Sequence, residues 1–251
     1  MELSAVFFDV DGTIAETEDM HRKSFNESFK EFNLDWFWDK AIYKELINIG
    51  DGSERIKHYI KRAWPEMMEY KNLTKYINSI QKVKSEIFED HISESDIEIR
   101  PGVLRLIKEL KNSGKRIVIV SSSTERSLLK LFNQGLGIDP NVTFDLIAHG
   151  ECTKNKRPSP EIYEWSLEKL RLPPQACVAI EDSLRGVMSA KNANLNVLVT
   201  PSIFTREEDF SCADLVVSNL GEVANPFNVI KGRVYDHKIV NIKLLESILL
   251  D

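Results

Sequence analysis

The stretch FFDVDGTIAETE, residues 7–18, contains the end of the first predicted strand and the first candidate functional residues. It continues an apolar run, AVFF at residues 5–8, which predicts a short buried strand. Asp is common in turns, and this accounts for Asp11 beside Gly12 but not for Asp9, which follows the apolar run directly. Because a buried carboxylate is costly unless a cation meets it, the aspartate pair indicates a functional site at the end of this strand.

Five further apolar runs have the same near-continuous character. They are RIVIV (residues 116–120), FDLIA (144–148), CVAI (177–180), VLVT (197–200) and DLVV (214–217). Such runs are typical of strands that are buried on both faces of a parallel sheet. Amphipathic stretches lie between them, and VLRLIKELKNSGK, with its stop at Gly114, is the clearest. Strands alternating with helices predict an α/β fold, a doubly wound parallel sheet flanked by helices.

One long segment breaks this alternation. From about residue 21 to residue 92 the sequence contains helix-like stretches and no convincing strand, which predicts an all-helical insert. We expect a core of residues 1–16 and 95–251 and a small helical cap domain of residues 17–94. After Gly221 the pattern is weak, and LLESILL predicts a closing helix.

Composition and charge narrow the function classes. The 251 residues are 42% hydrophobic and 29% charged, which is typical of a globular protein with a sizeable core. The 33 basic and 39 acidic residues give a net charge of −6, so we expect neither nucleic acid nor a membrane surface as a partner. Three widely spaced cysteines, and a start without basic residues ahead of its apolar run, favour a cytoplasmic protein.

Polar groups follow three further strands or loops at the corresponding positions. They are Ser121, Ser122 and Ser123 after RIVIV, Lys154, Lys156 and Arg157 before Pro158, and Glu181 and Asp182 after CVAI. Each group alone has an ordinary explanation as a helix cap or a solvated loop. With the aspartate pair, they bring carboxylates, hydroxyls and a cation to one sheet edge, a combination suited to binding phosphate.

The order and spacing of these four groups resemble the motifs of the haloacid dehalogenase (HAD) superfamily. Residues 9–26, DVDGTIAETEDMHRKSFN, and residues 49–59, IGDGSERIKHY, resemble its CbbY-like branch, which is related to β-phosphoglucomutase. The resemblance implies a Rossmann-like core with a helical cap, which often limits oligomerisation, so we expect a monomer. It also implies an Mg²⁺-dependent phosphatase acting on a small phosphorylated sugar, with xylulose bisphosphate as the most specific candidate.

The resemblance also assigns roles in the core. Asp9 would be the nucleophile and Asp11 the acid and base. Mg²⁺ would be held by Asp9, the backbone carbonyl of Asp11 and Asp182, with Glu181 in support. The phosphate would be bound by Ser121, Ser122 and a cation that is Arg157 by alignment or Lys156 one residue earlier. The superfamily usually carries Lys directly before the proline, so Arg157 is a departure from the pattern.

The resemblance assigns cap residues to the substrate as well. The candidates are Glu16, Thr17 and His21 at the first hinge, and Gly50 and Arg55 in the cap loop. His21 is about as often structural, and Arg55 is about as often a surface ion-pair partner. Ser53 stands where the branch commonly has Lys, and Asp51 where it has Gly, which should weaken binding of a second substrate phosphate. We interpret the aromatic residues 36–38 as packing on a cap helix.

Two other functions stay open. A phosphosugar mutase would use the same site with a longer-lived aspartyl phosphate. A non-catalytic phospho-acceptor would also hold an aspartate, Mg²⁺ and a lysine, but such modules lack the two-residue aspartate spacing and a large cap.

Overall fold

The computed structural model describes residues 2–250. Two compact units divide the chain. The core unit contains the chain up to Glu16 and from Ile97 onward, and the insert unit is Thr17–Asp96.

The core unit is built on one sheet with the strand order β3-β2-β1-β4-β5-β6-β7. The strands are β1 (Ala5–Phe8), β2 (Arg116–Val120), β3 (Leu146–Ala148), β4 (Cys177–Glu181), β5 (Asn196–Val199), β6 (Leu215–Val217) and β7 (Val229–Gly232). The first six are parallel, which confirms the predicted fold class. Phe8 is level with Ile119 on β2 and Ile180 on β4, so the loops after these three strands meet at one edge.

The seventh strand was not among the strands that the sequence predicted. β7 pairs antiparallel with β6 at the edge, and its residues after Val229 are exposed. An edge strand contacts a neighbour on one side only, so it needs no continuous apolar run. This explains why the signal in the sequence after Gly221 is weak.

Ten α-helices are present within residues 2–250. They are α1 (Glu18–Glu31), α2 (Lys40–Leu46), α3 (Gly52–Ala63), α4 (Leu73–Glu94), α5 (Val103–Asn112), α6 (Glu125–Lys130), α7 (Pro140–Thr143), α8 (Glu161–Leu170), α9 (Leu184–Asn192) and α10 (Ile242–Ile248). In the described part of the chain no helix combines the length and apolar character that crossing a membrane requires. The predicted closing helix is α10.

Helices cover both faces of the sheet. On one face, Ala5 and Phe7 of β1 contact a cluster that includes Tyr163 of α8 and Val187 of α9. Every residue of β1 is fully buried, as the continuous apolar run predicted. Burial of whole strands in this way removes a large apolar area from water and fixes the strand ends that carry the polar groups.

The insert unit is helical, with α1 packed on α4. Trp36 and Trp38 are buried against Phe29, and the backbone of Trp38 exchanges two hydrogen bonds with the Asn26 side chain, at 2.7 and 2.8 Å. The interpretation as packing is therefore confirmed for both tryptophans. Their placement on a helix is wrong, because residues 36–38 lie in the connection between α1 and α2, and Phe37 is 61% exposed.

Candidate active site

The loop after β1 brings two motifs into contact. Asp9 follows β1 directly, is 4% exposed, and its backbone N–H donates to the Ile180 carbonyl on β4 at 3.0 Å. Gly12 has φ of +85°, and its N–H donates to the Ala15 carbonyl at 2.8 Å. Any side chain at Gly12 would collide with the Asp182 carboxylate. The turn therefore needs glycine both for its backbone angle and for its close approach to the loop after β4.

Three buried carboxylates meet at this edge. Asp9, Glu181 and Asp182 each offer an oxygen, and these oxygens lie within 4.8 Å of one another. Arg157 Nη2 donates to Oδ1 of Asp9 at 2.7 Å, and its Nη1 donates to Oε1 of Glu181 at 3.0 Å. The single guanidinium of Arg157 thus bonds two of the three buried acids. When all three are ionised, the cluster has an excess of negative charge. Hard carboxylate oxygens are what Mg²⁺ prefers, so these residues fit that ion.

The acids carry the electrostatic signature of a cation site. Burial raises the pKa of Asp9 above its ordinary value, against the opposing charge of Arg157. Burial also raises the pKa of Glu181 to about 8, again opposed by Arg157. Burial lowers the pKa of Arg157, but Glu181 and Asp9 outweigh this and raise it overall. Without a further positive charge, the cluster therefore retains protons that ordinary carboxyls release.

The raised pKa of Glu181 predicts that the free energy of unfolding depends on pH and on bound metal. A glutamate carboxyl ordinarily has a pKa of 4.5, whereas the pKa of Glu181 in the folded protein is about 8. Since the folded form holds a proton that the unfolded chain has lost, stability in EDTA should fall as the pH rises between these values. Adding MgCl₂ should raise the melting temperature, and more at pH 8 than at pH 5. When the Mg²⁺ concentration is a hundred times its Kd, binding raises the free energy of unfolding by about 2.7 kcal/mol.

Differential scanning fluorimetry measures both effects, with KCl at matched ionic strength as the control. Asp182→Asn removes one candidate ligand and should shrink the Mg²⁺-dependent rise. A rise in melting temperature that is equal at the two pH values, or that KCl reproduces, would contradict the assignment.

The serine loop after β2 reaches the aspartate pair. The buried Ser121 donates its backbone N–H to Ala148 at 2.9 Å, and its hydroxyl accepts from the Ser123 N–H at 3.1 Å. The Ser123 hydroxyl donates to Oδ2 of Asp11 at 3.3 Å. Ser122 is exposed on the same loop. The sequence analysis placed Ser123 in the hydroxyl loop suited to binding phosphate, but it did not predict the contact with Asp11.

The two candidate cations point to different partners. Besides its carboxylate contacts, Arg157 Nη2 donates to the Val120 carbonyl at the end of β2, at 3.1 Å. Lys156 Nζ instead donates to the backbone carbonyls of Thr153, at 2.8 Å, and Gly150. Arg157 therefore contacts the acidic cluster, whereas Lys156 stabilises the loop before it.

Two buried hydroxyl groups support the cluster and were missed from the sequence. Tyr163 on α8 donates its hydroxyl to Oε1 of Glu181. Thr205 donates to Oδ2 of Asp182 at 3.2 Å and accepts from the Ser202 N–H at 2.9 Å. Helical periodicity marks Tyr163 only as a core residue, and no motif marks the loop after β5.

The hinge candidates divide between the two units. Glu16 ends the first segment of the core unit, and its Oε1 lies 3.3 Å from Nε of the buried Arg100, a further residue that the sequence pattern did not reveal. Thr17 begins the insert unit, is buried and precedes α1.

His21 lies in the interior of the insert unit. Its Nδ1 is 2.5 Å from Nζ of Lys84, and since an ammonium can only donate, Nδ1 accepts. The His21 ring stacks on Phe88 with 3.8 Å between centroids, and the Lys84 ammonium also lies over the Phe25 ring. The contact between Lys84 and His21 therefore lies among aromatic rings inside the insert unit.

Arg55 also makes contacts within the insert unit. Its guanidinium donates to the carbonyls of Ile49, at 3.2 Å, and Ile47, at 3.3 Å, and to the Tyr43 hydroxyl at 3.2 Å. Tyr43 in turn donates to Oε2 of the buried Glu18 at 2.7 Å. Arg55 thus anchors the loop that leads into α3.

The start of α3 explains one departure from the CbbY-like pattern. The Asp51 side chain accepts from the Glu54 N–H at 3.0 Å, the contact of an N-cap residue. Gly50 precedes it, and a side chain there would collide with that of Glu54. Asp51 therefore has a structural role in beginning the helix.

Comparisons with known proteins agree with this architecture. A sequence model of the family described as haloacid dehalogenase-like hydrolase matches residues 6–200. Protein CbbY of Cereibacter sphaeroides is 37% identical over 221 residues, 88% of this chain and 94% of that protein. A crystal structure of an Asp-to-Asn variant of Rhodobacter sphaeroides CbbY with xylulose-(1,5)bisphosphate has 36% identity and a TM-score of 0.79 over 88% of this chain and 98% of that one. A β-phosphoglucomutase from Clostridium difficile, at 24% identity and a TM-score of 0.71 over 86% of this chain and 90% of that one, shares the fold.

Proposed function

We propose, from the premise that the chain belongs to the haloacid dehalogenase-like hydrolase family, that it is an Mg²⁺-dependent phosphatase of a phosphorylated sugar. The family prediction made from the sequence is confirmed, and the chain is a hydrolase rather than a non-catalytic phospho-acceptor. The observation that carries the proposal is the buried cluster of Asp9, Glu181 and Asp182 beside Arg157. Xylulose bisphosphate is the first candidate substrate, because a protein with 36% identity was crystallised with it.

In the proposed reaction, a carboxylate oxygen of Asp9 attacks phosphorus while the bond to the sugar oxygen breaks. Asp11 gives its proton to that leaving oxygen. Asp11 then takes a proton from water, whose oxygen attacks the phosphoryl group and releases phosphate and the free Asp9 carboxylate. The contact of Ser123 with Asp11 supports this role, since it orients the carboxyl beside the loop after β2.

Asp9, Asp182 and the Asp11 backbone carbonyl would hold Mg²⁺, with Glu181 in support. The ion, when bound, neutralises charge between the attacking carboxylate and the phosphoryl oxygens. Glu181 is held by both Arg157 and Tyr163, which fits a residue that sets the position of the other carboxylates.

The phosphoryl oxygens would be bound by Ser121, Ser122 and Arg157. We propose Arg157 rather than Lys156 as the cation, because its guanidinium already contacts Asp9. Its fork can bond a carboxylate and an equatorial oxygen together, which stabilises charge that develops in the transition state. Thr17, His21, Gly50 and Arg55 stay predictions for the substrate side, as do Glu16, the monomeric state and the cytoplasmic location.

A phosphate-release assay against phosphorylated sugars, with and without Mg²⁺, tests the proposal. We expect release that EDTA abolishes, and comparing a ketose bisphosphate with its monophosphates tests whether Ser53 and Asp51 weaken binding of a second phosphate. A mutase would instead move phosphate between positions of one sugar with little net release, which NMR of the sugar distinguishes. No release from any sugar phosphate with Mg²⁺ present would contradict the proposed function.

A further inference from the structure

Arg100 is a buried guanidinium on which three parts of the core unit converge. It is 9% exposed. Its Nη1 donates to the Gly12 carbonyl in the loop after β1 and to the Thr200 carbonyl, at 2.7 Å, after β5. Its Nη2 donates to the Pro201 carbonyl at 2.9 Å, and its Nε lies 3.3 Å from Oε1 of Glu16. One side chain therefore joins the first catalytic loop, the loop after β5 and the last core residue before the insert.

The backbone around Arg100 strengthens this connection. The Arg100 N–H donates to the Ile14 carbonyl at 2.8 Å, and its neighbour Ile99 forms an antiparallel bridge with Ala15. The segment before α5 is thus attached to the turn after β1 by main chain and side chain together. Groups buried in this way are held in one geometry, because leaving any of these carbonyls unpaired costs free energy.

The bond to Gly12 acts next to the proposed acid. The Gly12 carbonyl belongs to the Gly12–Thr13 peptide, so Arg100 bonds the residue directly after Asp11, and a Cβ added at Gly12 would collide with the Asp182 carboxylate. A shift of this peptide would therefore move the Asp11 carboxyl and disturb its contact with Ser123. General acid catalysis requires the proton to lie within hydrogen-bond reach of the leaving oxygen, so a small displacement is costly.

We infer that Arg100 is a positioning residue for Asp11, which it keeps aligned with the leaving oxygen by fixing the Gly12 peptide. The inference rests on the proposed function, in which Asp11 protonates the sugar oxygen. A guanidinium suits the task, because its rigid planar fork spreads donors over three nitrogens and reaches carbonyls on different loops, whereas a lysine ammonium has all its donors on one nitrogen. Arg100 does not need to touch the substrate.

The leaving group separates this role from a merely structural one. The value of kcat/KM reports steps up to transfer of phosphate to Asp9, and only a poor leaving group needs a proton in that step. A sugar alkoxide is such a group, whereas p-nitrophenolate leaves readily as an anion. We therefore compare kcat/KM for the best sugar phosphate and for p-nitrophenyl phosphate in Arg100→Lys and Arg100→Met.

Arg105 provides a matched control. It also binds backbone carbonyls, those of Leu220, Gly221 and Val240 at 2.8 to 3.0 Å, but these lie in the C-terminal part of the core unit. Arg105→Lys and Arg105→Met should lower thermal stability without changing the ratio of the two kcat/KM values. The ratio does not depend on the fraction of folded enzyme, so instability alone cannot alter it.

We expect Arg100→Met to lose about 10²-fold in kcat/KM for the sugar phosphate, the lower end of what general acid catalysis supplies, and less than about fivefold for p-nitrophenyl phosphate. Arg100→Lys should show an intermediate ratio, and it carries the test if the Met variant does not fold. Equal losses on both substrates, or a ratio like that of the Arg105 variants, would overturn the inference. A wild-type protein without phosphatase activity would instead contradict the proposed function.

Discussion

Asp9→Asn should abolish phosphate release, lowering kcat by about 10⁴-fold or more, while the protein stays folded. An amide cannot form the proposed aspartyl phosphate, so the covalent step is lost. The amide oxygen can still accept from Arg157 Nη2, which now bonds Asp9 at 2.7 Å. Because burial already raises the pKa of Asp9, a neutral side chain suits this position. The melting temperature in EDTA should therefore change by no more than about 4 °C.

Labelling identifies the nucleophile directly. With a radiolabelled phosphate ester, Asp11→Asn should still accept label, most readily from an activated ester, and Asp9→Asn should accept none. The Asp11 variant is the matched control, since its carboxylate is two residues away at the same sheet edge. Label on Asp9→Asn, or turnover within about tenfold of the wild type, would mean that another group attacks phosphorus.

Arg157→Met should have the largest effect on stability as well as a severe effect on turnover. It would leave Asp9 and Glu181 buried without their bonded cation. Removing one partner of a buried ion pair costs about 3–5 kcal/mol, which lowers the melting temperature by roughly 6–20 °C in a chain of this size. Turnover should fall because the nucleophile loses its orientation and the phosphoryl group loses a cation.

Lys156→Met is the matched control, since it removes the adjacent positive charge. Lys156 bonds backbone carbonyls in its own loop, so we expect a stability change of about 1 kcal/mol and a much smaller loss of kcat. Thermal melts and steady-state kinetics in saturating MgCl₂ measure both. If Lys156→Met lost turnover and Arg157→Met kept it, Lys156 would be the phosphate-binding cation and our choice would be wrong.

The sequence predicted the six parallel strands because their signal is local. In RIVIV the four buried positions after the exposed Arg116 are apolar, and CVAI is apolar throughout, as burial on both faces of a sheet favours. The polar groups that follow them could also be located, because parallel strands end at one edge. The strands β2, β1 and β4 are neighbours in the sheet, so the buried residues that end or follow them lie at the same edge: Asp9, Ser121, Glu181 and Asp182. The order of the motifs along the chain already indicated that these residues would meet.

Other features depend on contacts between distant parts of the chain. Arg100 lies 88 positions from Gly12 and 100 from Thr200, and no periodicity relates them. The choice between Lys156 and Arg157 depended on which way each side chain leaves the same loop, which spacing alone does not determine. The strand β7 and the aromatic connection before α2 were missed or misassigned because an edge strand and an irregular loop lack a repeating pattern.

The bridge between Ala15 and Ile99 has a consequence for how the chain could be re-engineered. The 80 residues of the insert, Thr17–Asp96, leave and rejoin the core at two strands of backbone that are already hydrogen-bonded neighbours. Excision therefore leaves ends that a few glycines could join without stretching, since a short closure is entropically cheap. The helical insert is in this sense exchangeable, and a core unit without it, or with a different insert in its place, is topologically permitted.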